Sequence, residues 1–511
     1  MKKDLKNKIK SIEELASISA QAKAKGKKVV LCHGVFDLLH PGHIRHFIAA
    51  KRMGDILLVT VTADSFVNKG PGRPVFGQDL RAESVAAIES VDFVGISHWP
   101  TAVELIKKIK PNIYVKGSDY AKKEQDLTGK IYEEEEAVRK IGGQIRFTDE
   151  ISFSSSNLIN SFLSPYPEEA KAFLSQFKAK YSADTIISSL KGLSEVSILV
   201  IGDIIIDEYH YCLAIGKSQK DNIIATRYIN EEVFAGGVLG AANHLASFCQ
   251  DITLLSCIGT KNNYEKFILS HLRPNIKTQF YHRADSPTVV KRRFVDPAFL
   301  NKIFEVCYLE ESLQLPKNLE SDICRYLNKQ IKRFDVVLVT DFGHGLITPR
   351  IIELLSRKAN FLAVNVQTNS ANFGFNLVTK FPRADYICID EPEIRLACHD
   401  RVSPLKRLIL DIGQRLSCGR IVITRGHRGS VAYSKKEGFF EVPVFSREIV
   451  DRIGAGDAFV SITTPCVFKG IPMEVVGFIG NAVGAMKVLI VGHRASVEAV
   501  PLFKYIATLL R

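Results

Sequence analysis

Short apolar runs and helically spaced apolar stripes alternate along almost the whole chain. Between about Ser11 and Phe162, short apolar segments at Val29–Cys32, Ile56–Thr62, Phe93–Ile96, Ile113–Val115 and Gln144–Phe147 are separated by stretches with helical spacing of apolar residues. Short continuous apolar runs suit strands buried on both faces, and strands that alternate with helices build a parallel sheet. The pattern breaks at Ser164-Pro165-Tyr166-Pro167, polar helical spacing follows to about Glu195, and a second α/β run opens at Val196-Ser197-Ile198-Leu199-Val200-Ile201-Gly202-Asp203. The chain therefore reads as α/β throughout, with a domain over residues 1–163, a helical linker over 164–195 and a second domain over 196–511.

The first strand runs directly into Cys32-His33-Gly34-Val35-Phe36-Asp37-Leu38-Leu39-His40-Pro41-Gly42-His43, and helical spacing resumes at Ile44. Pro41 is tolerated in a first helical turn and Gly42 lets a ligand approach the backbone. His40 and His43, three positions apart, then share one side of a helix N-terminus, where free N–H groups favour an anion. Two imidazole donors there suit the charge that builds on an α-phosphate under attack. A metal pair or structural histidines are the alternatives, but no nearby Cys or carboxylate pair completes a tetrahedron. The Gly/Pro-rich segment Lys69-Gly70-Pro71-Gly72-Arg73-Pro74 follows the second strand, Arg81 lies on the next helix, and Lys116-Gly117-Ser118-Asp119-Tyr120 follows the fourth strand. All fall on the carboxyl rim of a parallel sheet, where ligands bind in open α/β folds. Ser154, Ser155 and Ser156 open the last helix of this part, as phosphate donors or as plain caps.

In the second domain the informative stretch is Asp451-Arg452-Ile453-Gly454-Ala455-Gly456-Asp457. Small residues let consecutive N–H groups face one anion, and a carboxylate beside a phosphate is unfavourable unless it has a task. That task is taking the proton from a hydroxyl that attacks a γ-phosphate; a glycine turn capped by Asp is the alternative. Asp207 stands just past the first strand, Gly236 and Gly237 open a helix that carries Asn243, and buried strands end at Thr340-Asp341 and at Thr424-Arg425-Gly426.

Composition adds limits. Apolar content of 46% and charged content of 24% are ordinary for a globular protein, and a net charge of +13 suits anionic substrates. No Lys/Arg run is interleaved with aromatics, so nucleic acid is not an expected partner. Ten cysteines without a Cys-x-x-Cys pair read as reduced, mostly buried thiols of a cytoplasmic protein. The charged start Met1-Lys2-Lys3-Asp4 lacks the apolar centre of a signal peptide, and no window approaches the roughly 20 apolar residues of a membrane span.

The segment Gly34-Val35-Phe36-Asp37-x-x-His40-x-Gly42-His43 resembles the signature of the cytidylyltransferase-like nucleotidyltransferases, whose Rossmann-like fold it implies. The Arg-Pro loop, the helix arginine, Val115-Lys116-Gly117-x-Asp119-Tyr120 and the serine cluster are similar, in order, to those of glycerol-phosphate and heptose-phosphate members. The resemblance implies His40 and His43 as catalytic, Gly34, Phe36, Lys69, Arg81, Lys116 and Ser154–Ser156 as nucleotide contacts, and Asp119 as a substrate contact. Residues 196–511 resemble the ribokinase-like carbohydrate kinases. That likeness implies Asp457 as base, Gly454, Ala455 and Gly456 as anion hole, and Thr424, Gly426 and Gly429 near ATP. It also implies Asp207, Gly236, Gly237 and Asn243 as sugar contacts and Glu393 as a residue that helps place Mg²⁺.

Three departures stand out: Asn365-Val366-Gln367 replaces Asp-Pro-Lys, Asp390 replaces the Asn of Asn-x-x-Glu, and His344 replaces a Lys. The pair of domains resembles the bifunctional heptose-phosphate kinase/adenylyltransferases in reversed order. The expectation is a sugar-activating enzyme that phosphorylates a sugar or sugar phosphate and joins a sugar 1-phosphate to ATP or CTP with Mg²⁺. Its partners are those small molecules, with a homodimer allowed, and neither nucleic acid nor membrane. The alternatives are a nucleotidyltransferase for a non-sugar phospho-alcohol such as glycerol phosphate, or a non-catalytic regulatory protein.

Overall fold

The first sheet of the molecule is built on β1 (Val29–Gly34), whose leading residues are wholly buried and β-branched. Around it stand β2 (Ile56–Thr62), β3 (Phe93–Ser97), β4 (Ile113–Gly117) and β5 (Gln144–Thr148), all parallel, in the order β3-β2-β1-β4-β5. The computed structural model describes residues 7–67, 69–117, 130–148, 166–310 and 314–511. The chain moves outward from β1 to β3 and then returns to the other side of β1. The crevice between β1 and β4 is thus the point of strand-order reversal, where open sheets bind ligands. His33 and Gly34 end one strand there, and Lys116 and Gly117 end the other. Helices cover both faces; the helix Ile12–Ala24 is fixed by a capping box between Ser11 and Glu14.

A separate nine-stranded sheet runs in the order β10-β9-β6-β13-β14-β15-β16-β17-β18. Its members are β6 (Ser197–Gly202), β9 (Asp251–Lys261), β10 (Ile276–Pro287), β13 (Val336–Asp341), β14 (Leu362–Val366), β15 (Tyr386–Asp390), β16 (Arg420–Thr424), β17 (Ser430–Ser434) and β18 (Gly438–Val442). All pairings are parallel up to β16, and the last two are antiparallel. Here order reverses between β6 and β13. A four-stranded sheet, β12-β11-β7-β8, is formed by β7 (Ile204–Lys217), β8 (Ile224–Gly237), β11 (Val290–Val295) and β12 (Lys302–Tyr308). Its leading strand starts two residues after β6 ends, so Asp207 is carried just beyond the reversal point.

Two compact units result, one of residues 1–165 with 503–511 and one of Tyr166–Leu502. Residues read from their polarity as a linker form the helices Glu168–Lys180 and Ala183–Lys191, which belong to the second unit. Phe177 stacks on Phe478 with ring centroids 4.4 Å apart, and Lys180 and Tyr181 bond Glu474. A Lys- and Glu-rich exterior masks this apolar stripe in the sequence. The end of the chain also differs from the sequence pattern, because Phe503–Arg511 group with the first unit. Tyr505 is fully buried, and its ring lies so close to Gly70 that a Cβ there would stand 1.9 Å from it.

Among the described residues, no helix is long and apolar enough to cross a membrane. Replacing Tyr505 by Ala is expected to cost the first unit about 3 kcal/mol, by lost burial and the cavity left behind. Thermal unfolding of the full chain checks this: the transition of the first unit falls, whereas an unchanged transition would mean that the ring does not support it.

Candidate functional site

In the first unit the site is built on the N-terminus of the helix Pro41–Lys51. His40 is its N-cap, in extended conformation, and its Nδ1 accepts from the Gly42 N–H at 3.1 Å. That bond leaves the proton of the neutral ring on Nε2. His43 stacks on His40 with centroids 3.9 Å apart, and the Phe36 ring meets His43 edge-on at 5.4 Å. Burial, aided by His40, Lys69 and His46, pulls His43 down to about 3, and burial also lowers His40. Both rings are therefore uncharged near neutrality, and each brings a donor to the helix end without opposing its neighbour. His43 Nδ1 is buried and has no hydrogen-bond partner among the described residues.

The rim loops are held by two buried side chains. Asp37 accepts from Val75 N–H at 2.9 Å and Phe76 N–H at 3.3 Å and faces Arg73 at 3.8 Å. Arg81, 1% exposed, donates to the carbonyls of Val35, Thr62 and Phe76 and to Asp64. Its guanidinium thus ties the first-strand turn to the loop after β2. Lys69 is pulled down to about 8 by burial, with Arg511 and Arg73 adding to the effect. Lys116 pairs with Glu134 at 2.8 Å. Gly34 ends β1, and Phe36 is buried against Phe47. Asp119, Ser154, Ser155 and Ser156 lie outside the described residues.

In the second unit Asp457 lies in the first turn of the helix Ala455–Phe468, after an N-cap Gly454 at φ 76°. Burial raises its carboxyl to about 6; the Gln367 amide, which donates to Oδ1 at 2.6 Å, opposes that rise, and Asp207 adds to it. Gln367 is held in turn by Asn365 Oδ1 at 3.2 Å. Asp207 pairs with Arg293 of β11, and His493 Nε2 stands 3.7 Å away. Gly236 opposite leaves the room Asp207 occupies, since a Cβ there would lie 2.1 Å from its carboxylate. His493 is wedged between Gly454 and Gly240, at each of which a Cβ would stand 2.5 Å from the ring. Ala455 and Gly456 complete the first helical turn, and Gly237 caps the helix Val238–Leu245.

Asn243 is not brought to this cluster: its amide donates to His271 O and accepts from Arg273 N–H. Thr424 ends β16, and the turn after it closes by a bond from Arg425 N–H to Gly429 O, with Gly426 between; Arg425 and Arg428 both bind Glu391. Glu393 accepts from Asp390 N–H at 2.8 Å and Thr368 N–H at 3.1 Å, so it serves as a helix cap. Burial, reinforced by Asp390, raises it to about 8. No group of three or more His, Cys, Asp or Glu side chains suited to a metal occurs among the described residues. Sequence reasoning missed Arg293 and His493. Arg293 follows Lys291 at the strand period of two, and His493 follows Gly492, but no motif marks either.

The cytidylyltransferase-like family profile matches residues 31–161 and the pfkB family carbohydrate kinase profile matches residues 196–500. The chain is 37% identical over 170 residues to the bifunctional protein HldE of Trichlorobacter lovleyi, covering 33% of each chain. It is 42% identical over 139 residues to that of Aliarcobacter butzleri, covering 27% of this chain and 29% of the relative. These matches span about a third or less of the relatives' length. Among solved structures, ribokinase of Thermotoga maritima aligns with a TM-score of 0.47 at 16% identity, covering 61% of this chain and 99% of that one. Phosphofructokinase-2 of Escherichia coli in complex with potassium aligns at 0.49 and 14% identity, covering 62% and 100%.

Because the Gln367 amide stabilises the ionised form of Asp457, Gln367→Leu is expected to raise that carboxyl above its present value of about 6. The acid limb of any reaction that needs the carboxylate then moves to higher pH, which a rate profile reads. An unmoved limb would mean that the bond does not tune the group.

Proposed function

We propose that this chain, which belongs to the pfkB family of carbohydrate kinases and carries a cytidylyltransferase-like domain ahead of it, activates a sugar in two steps. The second unit phosphorylates a sugar or sugar phosphate at the expense of ATP. The first transfers a nucleotidyl group from ATP or CTP to a sugar 1-phosphate and releases pyrophosphate. The observation that carries this reading recurs in both units. A helix N-terminus that favours an anion carries two neutral imidazoles in one and a buried carboxylate of raised pKa in the other.

In the kinase reaction the attacking hydroxyl gives its proton to Asp457 as its oxygen bonds to the γ-phosphorus and ADP leaves. The N–H groups of the turn Gly454–Gly456 face the transferred group, and Asp207, Arg293 and His493 position the sugar. Asp390 and Glu393 would help hold a Mg²⁺ ion, which would supply positive charge opposite the triphosphate. The donor set fits such an ion, because Asp390 and Glu393 are carboxyls raised by burial and, for Glu393, by its neighbour Asp390; a nearby cation relieves both effects. In the nucleotidyl transfer, a phosphate oxygen of the sugar attacks the α-phosphorus and pyrophosphate leaves, while His40 and His43 hold the growing negative charge. The sugar is heptose-like by the motif resemblance at Val115-Lys116-Gly117, and the product serves cell-surface glycan synthesis. Ten free thiols are in keeping with a cytoplasmic enzyme. Exposed apolar side chains of the four-stranded sheet, among them Ile215, Ile224 and Phe304, favour a homodimer.

A panel of sugar and polyol phosphates with ATP or CTP, assayed for pyrophosphate and ADP, tests the reading. His40→Ala and His43→Ala are each expected to lower pyrophosphate release about 100- to 1,000-fold and to leave ADP formation unchanged. Asp457→Asn does the reverse, with a loss of about 100- to 10,000-fold in phosphoryl transfer and ATP binding retained. Near-full activity in any variant removes that residue's role. Absence of both activities in the wild type across the panel leaves a nucleotide-binding regulatory protein.

A further inference from the structure

Lys487 is the last residue of the helix Met473–Lys487 and is fully buried. Its ammonium donates to main-chain carbonyls only: Gly492 O at 2.7 Å, Ile453 O at 2.8 Å and, more weakly, Ile490 O at 3.5 Å. Among the described residues it has no carboxylate partner within ion-pair distance. An isolated ammonium costs several kcal/mol to bury, and an apolar side chain of the same length would avoid that cost. Burial pulls this one down to about 8, with Asp451, Asp457 and Asp207 opposing the fall and Lys302 adding to it, so the group stays charged at neutral pH.

The residues it holds explain the arrangement. Asp451 accepts from the N–H groups of Ile453 at 3.2 Å and Gly492 at 2.8 Å, the two residues whose carbonyls Lys487 binds most closely. Each is thus gripped on its N–H by an anion and on its C=O by a cation. Ile453 precedes Gly454, the N-cap of the helix that carries Asp457, and Gly492 precedes His493, which packs on Gly454. Carbonyl oxygens that converge on one positive charge are also the ligands that replace the water shell of an alkali cation.

We propose that Lys487 is a tethered monovalent cation. Its ammonium fills a carbonyl cage behind the anion-binding turn, locks that turn to the His493 segment, and makes both the fold of the site and phosphoryl transfer independent of any free monovalent cation. The catalytic part of this inference rests on the kinase reading; the cage itself does not.

The test compares wild type, Lys487→Ala and Lys487→Met in buffers whose monovalent cation is potassium, ammonium or tetramethylammonium, by thermal unfolding and by sugar-dependent ADP formation. Wild type should show the same unfolding temperature and rate in all three, within about twofold for the rate. Lys487→Ala in tetramethylammonium should melt lower and lose about 100-fold in rate, and potassium or ammonium should restore both saturably. Lys487→Met fills the cage with a neutral chain and should not be rescued. A wild type that gains stability or rate from potassium over tetramethylammonium overturns the proposal, as does a Lys487→Ala variant that no small cation rescues. If Lys487→Ala is insoluble without potassium and soluble with it, the cage is supported; insolubility in every salt counts against it. Should wild type form no ADP in any salt, the kinase reading fails, while the unfolding series still decides the cage.

Discussion

A carboxylate buried away from water needs hydrogen-bonded support, and the surroundings of Asp457, the base of the proposed kinase reaction, supply it. Burial lifts the carboxyl to about 6 and Asp207 adds to the lift, while the Gln367 amide limits it. The neighbours of Asp457 are secured in turn: Arg293 neutralises Asp207, and Asp451 with Lys487 clamps the turn from which the helix springs. Asn365 and Gln367, which depart from the pattern of related kinases, leave the carboxylate hydrogen-bonded. The departure therefore changes how the Asp457 carboxyl is held and leaves it in place.

In the first unit desolvation acts in the opposite direction, on bases rather than on an acid. Burial there lowers both histidines, so the two uncharged rings stack at 3.9 Å without mutual repulsion. Asp37 and Arg81 contribute by fixing the loops that surround the helix end. Arg81 donates to three carbonyls and to Asp64, which fixes the loops around it.

Strand cores and the two helix N-termini were legible in the sequence because each is local. β1 is apolar and β-branched, and His40-Pro41-Gly42 is a cap followed by a proline in the first turn. What was not legible depends on contacts between distant segments. Nothing in the spacing of Tyr505 shows that it covers Gly70, and Lys487 reads as an ordinary charged end to a helix until the turn at Ile453 and the turn at Gly492 are brought around it. Asn243 follows a glycine turn in the sequence, yet its amide bridges to His271 and Arg273, while Gly240 on the same helix faces His493. The segment 166–195 carries its apolar residues between lysines and glutamates, so composition suggested a linker where packing gives two docked helices.

The most direct test needs no knowledge of the sugar. Carbon-13 NMR of aspartate carboxyl groups in the free protein, with the Asp457 signal assigned by its loss in Asp457→Asn, gives the titration of this one group. A midpoint near 6 is expected, because burial raises this carboxyl. A midpoint near the ordinary aspartate value of about 4 would contradict it, because the carboxylate would then be neither desolvated nor held in reserve as a base.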